Sequence, residues 1–203
     1  MVEFHFEANE DAFPRRITTE RLELQALDFS EVSVMEFYEA HADTPPHATT
    51  HVTFTPHQHP IEAKRVIGDA VEAFEEGNRA SYAMYEKESG EWIGTTGFDA
   101  DWEQDIAQSG IFLFEEYWGN GYSTERGEAM LELAFEQYDF GYWISNCSPE
   151  NEKSISAIQK YVVDNGGRKV GVLPNQVKLG AEYDDILYFV LEQDAYLNTT
   201  EAV

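Results

Sequence analysis

A turn with two glycines, Trp118-Gly119-Asn120-Gly121-Tyr122, stands between an apolar stretch of strand character and an amphipathic helix predicted from Ser123 to about Gln137. Glycine allows backbone conformations that other residues avoid, and it lets a ligand approach the peptide groups closely. Amides at the start of a helix, together with the helix dipole, attract anions such as a diphosphate. The segment therefore predicts an α/β protein with an anion-binding turn.

The remaining periodicity predicts a mixed sheet flanked by helices. A strand is predicted over 17–27, helices over 30–42 and 61–77, a meander of strands over 81–87, 91–102 and 105–114, a strand over 141–147, a helix over 149–165 and final strands near 168–172 and 183–191. The order β-α-α-β-β-β-α-β-α-β-β indicates an α/β (α+β) sandwich with six to seven strands. We expect an acidic, poorly ordered arm over 1–14 and a single domain over 15–203. A Rossmann fold is disfavoured, because the turn follows a meander and lacks a third glycine at the required spacing.

The charge of the chain is unusual, with 39 Asp and Glu against 13 Lys and Arg and a net charge of −26. The excess is spread over the whole chain, which favours adaptation to concentrated salt, where the screening length falls to about 3 Å. The alternative is an acidic surface that attracts a cationic substrate. Nucleic acid is disfavoured as a partner, because no basic stripe is present to neutralise phosphates.

Compartment and redox chemistry are also limited by the sequence. No apolar run approaches the roughly 20 residues that a membrane-spanning helix needs, so no membrane association is expected. The first thirteen residues lack the apolar segment of a signal peptide, which predicts a cytoplasmic protein. The single cysteine, Cys147, excludes an intramolecular disulfide and a cysteine-based zinc site.

The run EEYWGNGYSTE, from Glu115 to Glu125, resembles the acetyl-coenzyme A loop of the GCN5-related N-acetyltransferase (GNAT) family, in the RimJ/RimL-like branch of ribosomal-protein N-terminal acetyltransferases. Further segments agree in order: TTERLEL, FTPHQHPIEAK, PENEKS and AEYDDILYFVL. Together these segments cover roughly residues 16–192. The resemblance implies the acyl-CoA N-acyltransferase fold and, with the acidic composition, a halophilic member of the family.

The resemblance also implies roles for individual residues. Asn151 would bond the pantetheine arm or the acetyl group, Ser154 would protonate the departing thiolate, and His57 would lie in the loop over the acceptor. The alternative for Asn151 and Ser154 is that they only cap the helix they begin. The implied cofactor-binding residues are Phe112, Leu113 and Phe114 beside the pantetheine arm, and the backbone amides of Trp118, Gly119, Asn120, Gly121, Tyr122 and Ser123 around the diphosphate.

Three positions depart from the family pattern. Glu116 stands where a basic residue or glutamine is usual, Gln108 stands where a carboxylate often acts as general base, and Val170 replaces a carboxylate. A deprotonating group is still needed for an ammonium substrate. The candidates are Asp99, Asp101, Glu115 and His57, each of which can instead belong to the solvated acidic surface.

We therefore expect an N-acetyltransferase that moves an acetyl group from acetyl-CoA to a primary amine, either a protein N-terminus or a small molecule, by direct attack in a ternary complex. One alternative is a non-catalytic acyl-CoA-binding protein on the same scaffold. A second is a metal-binding module, since five histidines crowd one region (His41, His47, His51, His57 and His59), although no metal is expected. Cys147 is interpreted as a core residue in preference to a nucleophile. Edge strands make a homodimer possible.

Overall fold

The computed structural model describes residues 2–6, 12–51, 56–179 and 182–200. Within these ranges the chain forms strands and helices. The strands are β1 Glu3–His5, β2 Arg16–Thr18, β3 Leu22–Ala26, β4 Arg79–Glu86, β5 Trp92–Asp101, β6 Ile106–Leu113, β7 Tyr142–Cys147, β8 Arg168–Leu179 and β9 Glu182–Glu192. The helices are α1 Val34–Ala42, α2 Pro60–Glu75, α3 Tyr122–Glu132, α4 Glu152–Ile158 and α5 Gln193–Thr200. Helices α3 and α4 continue as single π-helical turns, Leu133–Gln137 and Gln159–Val163.

The strands form a mixed sheet in the order β1-β2-β3-β4-β5-β6-β7-β9-β8. Strands β6 and β7 pair in parallel, whereas β7 and β9 pair antiparallel. The predicted mixed α/β sheet is confirmed, but the described residues contain nine strands instead of six to seven. One added strand, β1, comes from the predicted N-terminal arm, where Phe4 pairs with Ile17.

A second added strand arises because the single strand predicted over 17–27 folds as a hairpin of β2 and β3. The amide of Thr19 donates to the carbonyl of Leu22 (2.9 Å), and the amide of Leu22 donates to the hydroxyl of Thr19 (3.0 Å). These bonds close a two-residue loop, Glu20-Arg21. The hairpin brings the side chain of Arg21 to the carbonyl of Asn120.

The chain divides into two compact units. The first contains Met1–Thr50, Phe54–Asp99 and Ile111–Tyr122, and the second contains His51–Thr53, Ala100–Gly110 and Ser123–Val203. The core of the first unit includes Phe13, which is fully buried against Phe74 and Phe98 with ring centroids 5.8 and 5.9 Å away. The expectation of a poorly ordered arm over 1–14 is therefore wrong at Phe13 and at β1. The assignment of 15–203 as a single domain stays a prediction.

Helix α1 begins at Val34, four residues later than predicted. The carboxylate of Asp28 accepts the amides of Ser30 (2.7 Å) and Glu31 (3.1 Å), which makes a turn in place of the expected helix start. The hydroxyl of Ser33 then caps α1 by accepting the amide of Glu36 at 3.0 Å. Among the described residues, no helix is long and apolar enough to cross a bilayer.

Candidate functional site

The segment between β6 and α3 is a tight turn held by its own backbone. The amide of Tyr117 donates to the carbonyl of Phe114 (3.0 Å), and the amide of Trp118 donates to that of Glu115 (3.1 Å). The Trp118 indole N–H bonds the carbonyl of Leu113 at 2.9 Å. The chain therefore enters the glycine turn in a fixed direction, and the Trp118 amide is already used within the turn.

Both glycines of the turn have left-handed backbone conformations, with φ of +81° at Gly119 and +84° at Gly121. A Cβ atom added at Gly119 would meet no atom within 4 Å. The requirement for glycine at this position therefore comes from the backbone conformation and not from a lack of space.

Three consecutive amides of this turn are available to a ligand. Within the described part of the chain, the N–H groups of Gly119, Asn120 and Gly121 make no hydrogen bond to the protein. Helix α3 begins directly afterwards at Tyr122, so the positive end of its dipole adds to their field. This arrangement has the donor chemistry that a diphosphate requires, without any side-chain cation from the turn itself.

Two residues distant in sequence hold the start of α3. The buried Tyr122 donates its hydroxyl to the carboxylate of Glu86, and this bond lowers the pKa of the Glu86 carboxyl. The guanidinium of Arg21 lies 4.8 Å from the centroid of the Tyr122 ring and donates to the carbonyl of Asn120 at 2.9 Å. No local pattern in the sequence points to Arg21, because only the hairpin of β2 and β3 brings it to the turn.

Strand β6 ends with two of the three expected pantetheine residues, Phe112 and Leu113, and the third, Phe114, follows directly at the start of the turn. The amide of Phe114 donates to the carbonyl of Ile93 on β5 at 3.0 Å. A Cβ atom at Gly94 would lie 2.1 Å from the carbonyl oxygen of Phe112, so glycine is required for this approach of β5 to β6. Phe112 to Tyr122 all belong to the first unit.

In the second unit, the pairing of β6 and β7 covers three positions, from Ile106↔Tyr142 to Gln108↔Ile144. Beyond that point the hydroxyl of Ser109 accepts a hydrogen bond from Arg126. Arg126 is 1% exposed and lies 5.8 Å from the Tyr161 ring centroid, and burial lowers its pKa. Its Nε has no partner among the described residues. No local pattern in the sequence points to this buried cation either.

A hydrogen-bonded chain continues from Tyr161 into the core of the second unit. The Tyr161 and Ser145 hydroxyls are 2.9 Å apart, and the Trp143 indole N–H donates to Ser145 at 2.8 Å. Tyr161 occupies the space above Gly127, where a Cβ atom would lie 2.5 Å from its ring. The polar chain is buried, so each of its bonds helps to fix the position of the π-helical turn that carries Tyr161.

Asn151 and Ser154 lie at the start of α4, also in the second unit. The Asn151 side-chain carbonyl accepts the amide of Ser154 at 3.1 Å, which is the hydrogen bond of an N-cap residue. This bond supports the capping alternative for Asn151, while its side-chain NH₂ group is a separate donor. The cofactor and catalytic roles implied for the two residues stay predictions.

His57 lies in an aromatic cluster of the first unit. Its ring is 5.5 Å from those of Phe37 and His41. The Nδ1 of His41 is 2.8 Å from the carbonyl of Phe37, so it carries the proton and donates. Burial lowers the pKa of His41 to about 4 and also lowers that of His57. Both rings are therefore neutral near pH 7, and His57 is 7% exposed.

The other candidate bases already have partners. Asp99 pairs with Arg79 at 3.1 Å, and burial raises the pKa of its carboxyl. Asp101 accepts the amide of Gln104 at 2.9 Å, and Glu115 is 2.7 Å from Nε2 of His47. None of these contacts singles out one carboxylate as the group that deprotonates an amine.

Val170, Gln108 and Cys147 contribute little to the chemistry of the site. Val170 is 64% exposed on β8, and Gln108 is an exposed member of β6. Burial raises the pKa of the Cys147 thiol to about 11, which keeps it protonated and makes it a poor nucleophile. Within the described ranges, no group of three or more His, Cys, Asp or Glu side chains is arranged to hold a metal ion.

Comparison with known proteins gives consistent matches. Residues 21–161 match the family model described as an acetyltransferase (GNAT) domain. The "Uncharacterized N-acetyltransferase p20" of Bacillus licheniformis is 26% identical over 179 residues, which cover 88% of this chain and 96% of that protein.

Two solved structures are similar in fold. A GCN5-related N-acetyltransferase from Brucella melitensis superposes with a TM-score of 0.77 at 16% identity, covering 96% of this chain and 87% of the other. A ribosomal L7/L12 alpha-N-protein acetyltransferase, RimL, in complex with coenzyme A has a TM-score of 0.74 at 18% identity, with coverage of 87% and 97%.

Proposed function

The chain belongs to the GNAT acetyltransferase family and is an acyltransferase, and we propose that it moves an acetyl group from acetyl-coenzyme A to a primary amine. The observation that carries this proposal is the row of amides at Gly119, Asn120 and Gly121 before α3, which have no hydrogen-bond partner among the described residues. A coenzyme A diphosphate is an anion that such a row can bind. The coenzyme A complex of the similar RimL structure adds support.

Acetyl-coenzyme A would supply an acyl group activated as a thioester. The residues of this chain would bind and orient it: the amides of Gly119 to Ser123 at the diphosphate, and Phe112 to Phe114 at the end of β6 along the pantetheine arm. Asn151 would donate from its side-chain NH₂ group, and Ser154 would pass a proton to the departing sulfur. Positioning of this kind supplies several kcal/mol of a transfer barrier.

The acceptor is proposed to react as a neutral amine in a ternary complex. Because none of Asp99, Asp101, Glu115 and His57 is singled out as a base, we assign loss of the ammonium proton to water before attack. With this assignment, kcat/KM should rise tenfold per pH unit until the pKa of the amine is reached.

The competing function is non-catalytic binding of an acyl-coenzyme A. Gln108 and Val170 favour it, because neither side chain can accept a proton. An assay of thiol release separates these two functions. The protein is incubated in concentrated KCl with acetyl-coenzyme A and a panel of amines and peptide N-termini. Turnover that depends on the amine supports the transferase. Tight binding of acetyl-coenzyme A without turnover on any acceptor supports the binding protein.

Association of two copies through an edge strand stays a prediction, which light scattering can test.

A further inference from the structure

Hydrogen bonds hold the backbone of Arg21 in place, although its side chain is exposed. It occupies the second position of the two-residue loop between β2 and β3, which Thr19 and Leu22 close by two hydrogen bonds. Its carbonyl accepts the amide of Lys87 at 2.9 Å. The backbone of Arg21 is therefore held by the hairpin of β2 and β3 and by Lys87, the residue that follows β4.

The guanidinium of Arg21 bonds Asn120 and lies over the ring of Tyr122. One nitrogen donates to the carbonyl of Asn120, and the group lies 4.8 Å from the centroid of the Tyr122 ring. A Cβ atom on Gly121 would be 3.4 Å from its other terminal nitrogen. A guanidinium has five N–H donors in a planar fork, so it can bond a carbonyl and a phosphate oxygen together.

The positive charge of Arg21 lies beside a turn whose own charged side chains are negative. Residues 109–124 contain no Lys or Arg, but they contain Glu115 and Glu116, and the whole chain has a net charge of −26. A diphosphate that approaches the amides of Gly119 to Gly121 would thus meet a repulsive field, and the turn itself offers no cationic side chain to offset it. The fold brings that cation from a residue 99 positions away from Asn120.

We propose that Arg21 is a coenzyme A-binding residue: it holds the turn through Asn120 and Tyr122 and supplies the positive charge for the diphosphate. This inference rests on the proposed function, because it takes the turn as the diphosphate site. Arg21 thereby supplies the positive charge that the acidic turn itself lacks.

The test is calorimetric binding of coenzyme A and of dephospho-coenzyme A, which keeps the diphosphate and lacks the 3′-phosphate. Arg21→Met keeps a long apolar stem over Tyr122 and removes the charge, whereas Arg21→Lys keeps the charge and loses the fork. Arg79→Met is the matched control, since Arg79 is an exposed arginine whose partner is Asp99. Urea unfolding of each variant verifies that it is folded.

We expect Arg21→Met to weaken both ligands by about 30-fold, in the range of a hydrogen bond to a charged group. Arg21→Lys should recover part of that loss, and Arg79→Met should bind like the wild type. The dependence of log Kd on log salt should be shallower for Arg21→Met, a change that a purely structural role would not produce.

Three results would overturn the inference while leaving the proposed function intact. They are an unchanged Kd for Arg21→Met, an unchanged salt slope, or a loss seen with coenzyme A but not with dephospho-coenzyme A, which would assign Arg21 to the 3′-phosphate. If the wild type binds neither ligand, the proposed function itself fails and takes the inference with it.

Discussion

Replacement of His41 by glutamine should remove a specific part of the acid sensitivity of this protein. His41 is 3% exposed and its ring stacks on Phe37 with centroids 4.2 Å apart. Burial lowers its pKa from 6.5 to about 4, with the neighbouring His57 acting in the same direction. Glutamine keeps an amide that can donate to the Phe37 carbonyl but cannot be protonated in this range.

The size of the effect follows from proton linkage. Between pH 6.5 and 4 the unfolded chain binds a proton at His41 that the folded chain does not bind, so the free energy of unfolding falls as the pH falls. At ~1.36 kcal/mol per unit of pKa difference, the loss amounts to about 2.5 kcal/mol between pH 7 and 4.5. Above pH 6.5 the neutral ring causes no penalty, and below pH 4 the penalty no longer grows.

Urea unfolding at constant high ionic strength, monitored by tryptophan fluorescence, measures the pH-dependent contribution of His41 to the free energy of unfolding. The stability of the wild type relative to His41→Gln should fall by about 2.5 kcal/mol from pH 7 to 4.5, whatever the constant cost of lost packing. His5→Gln, which removes an exposed imidazole on β1, controls for histidine loss as such. A stability difference between wild type and His41→Gln that does not change with pH would refute the reasoning.

Further predictions concern packing and charge. Gly127→Ala would place a Cβ atom 2.5 to 2.8 Å from three ring atoms of Tyr161, and urea unfolding should show a loss of about 2 kcal/mol or more. Gly68→Ala, at a position of α2 where a Cβ atom meets nothing within 4 Å, should instead stabilise by about 0.5–1 kcal/mol. The reverse order of these two variants would contradict the close packing of Tyr161 on Gly127. For the net charge of −26, thermal unfolding should move to higher temperature between 0.2 and 2 M KCl, and a flat dependence would argue against salt adaptation.

The glycine turn could be predicted from the sequence, because its conformation is decided locally. Gly119 and Gly121 follow an apolar strand and precede an amphipathic helix, and the structure gives both glycines the left-handed φ that only such residues adopt easily. The positions of β4 to β7 and of α2 were likewise readable from alternation and from Pro60 at the first position of α2.

Other features depend on contacts between distant segments and leave no local pattern. The polar side chain of Thr19 splits one apparent strand into a hairpin, and only that split carries Arg21 to Asn120. The burial of His41 and Arg126 is equally hidden, since polar residues are expected at the surface until packing is known.

The central claim is that the amides of Gly119 to Gly121 bind the diphosphate of coenzyme A, and calorimetry of three proteins in concentrated KCl tests it most directly. Gly119→Ala and Gly90→Ala are matched, since both glycines have positive φ (+81° and +71°) and open space at Cβ. The account predicts that the wild type and Gly90→Ala bind coenzyme A equally and that Gly119→Ala binds at least about tenfold more weakly. No binding by the folded wild type, or equal binding by all three proteins, would contradict it.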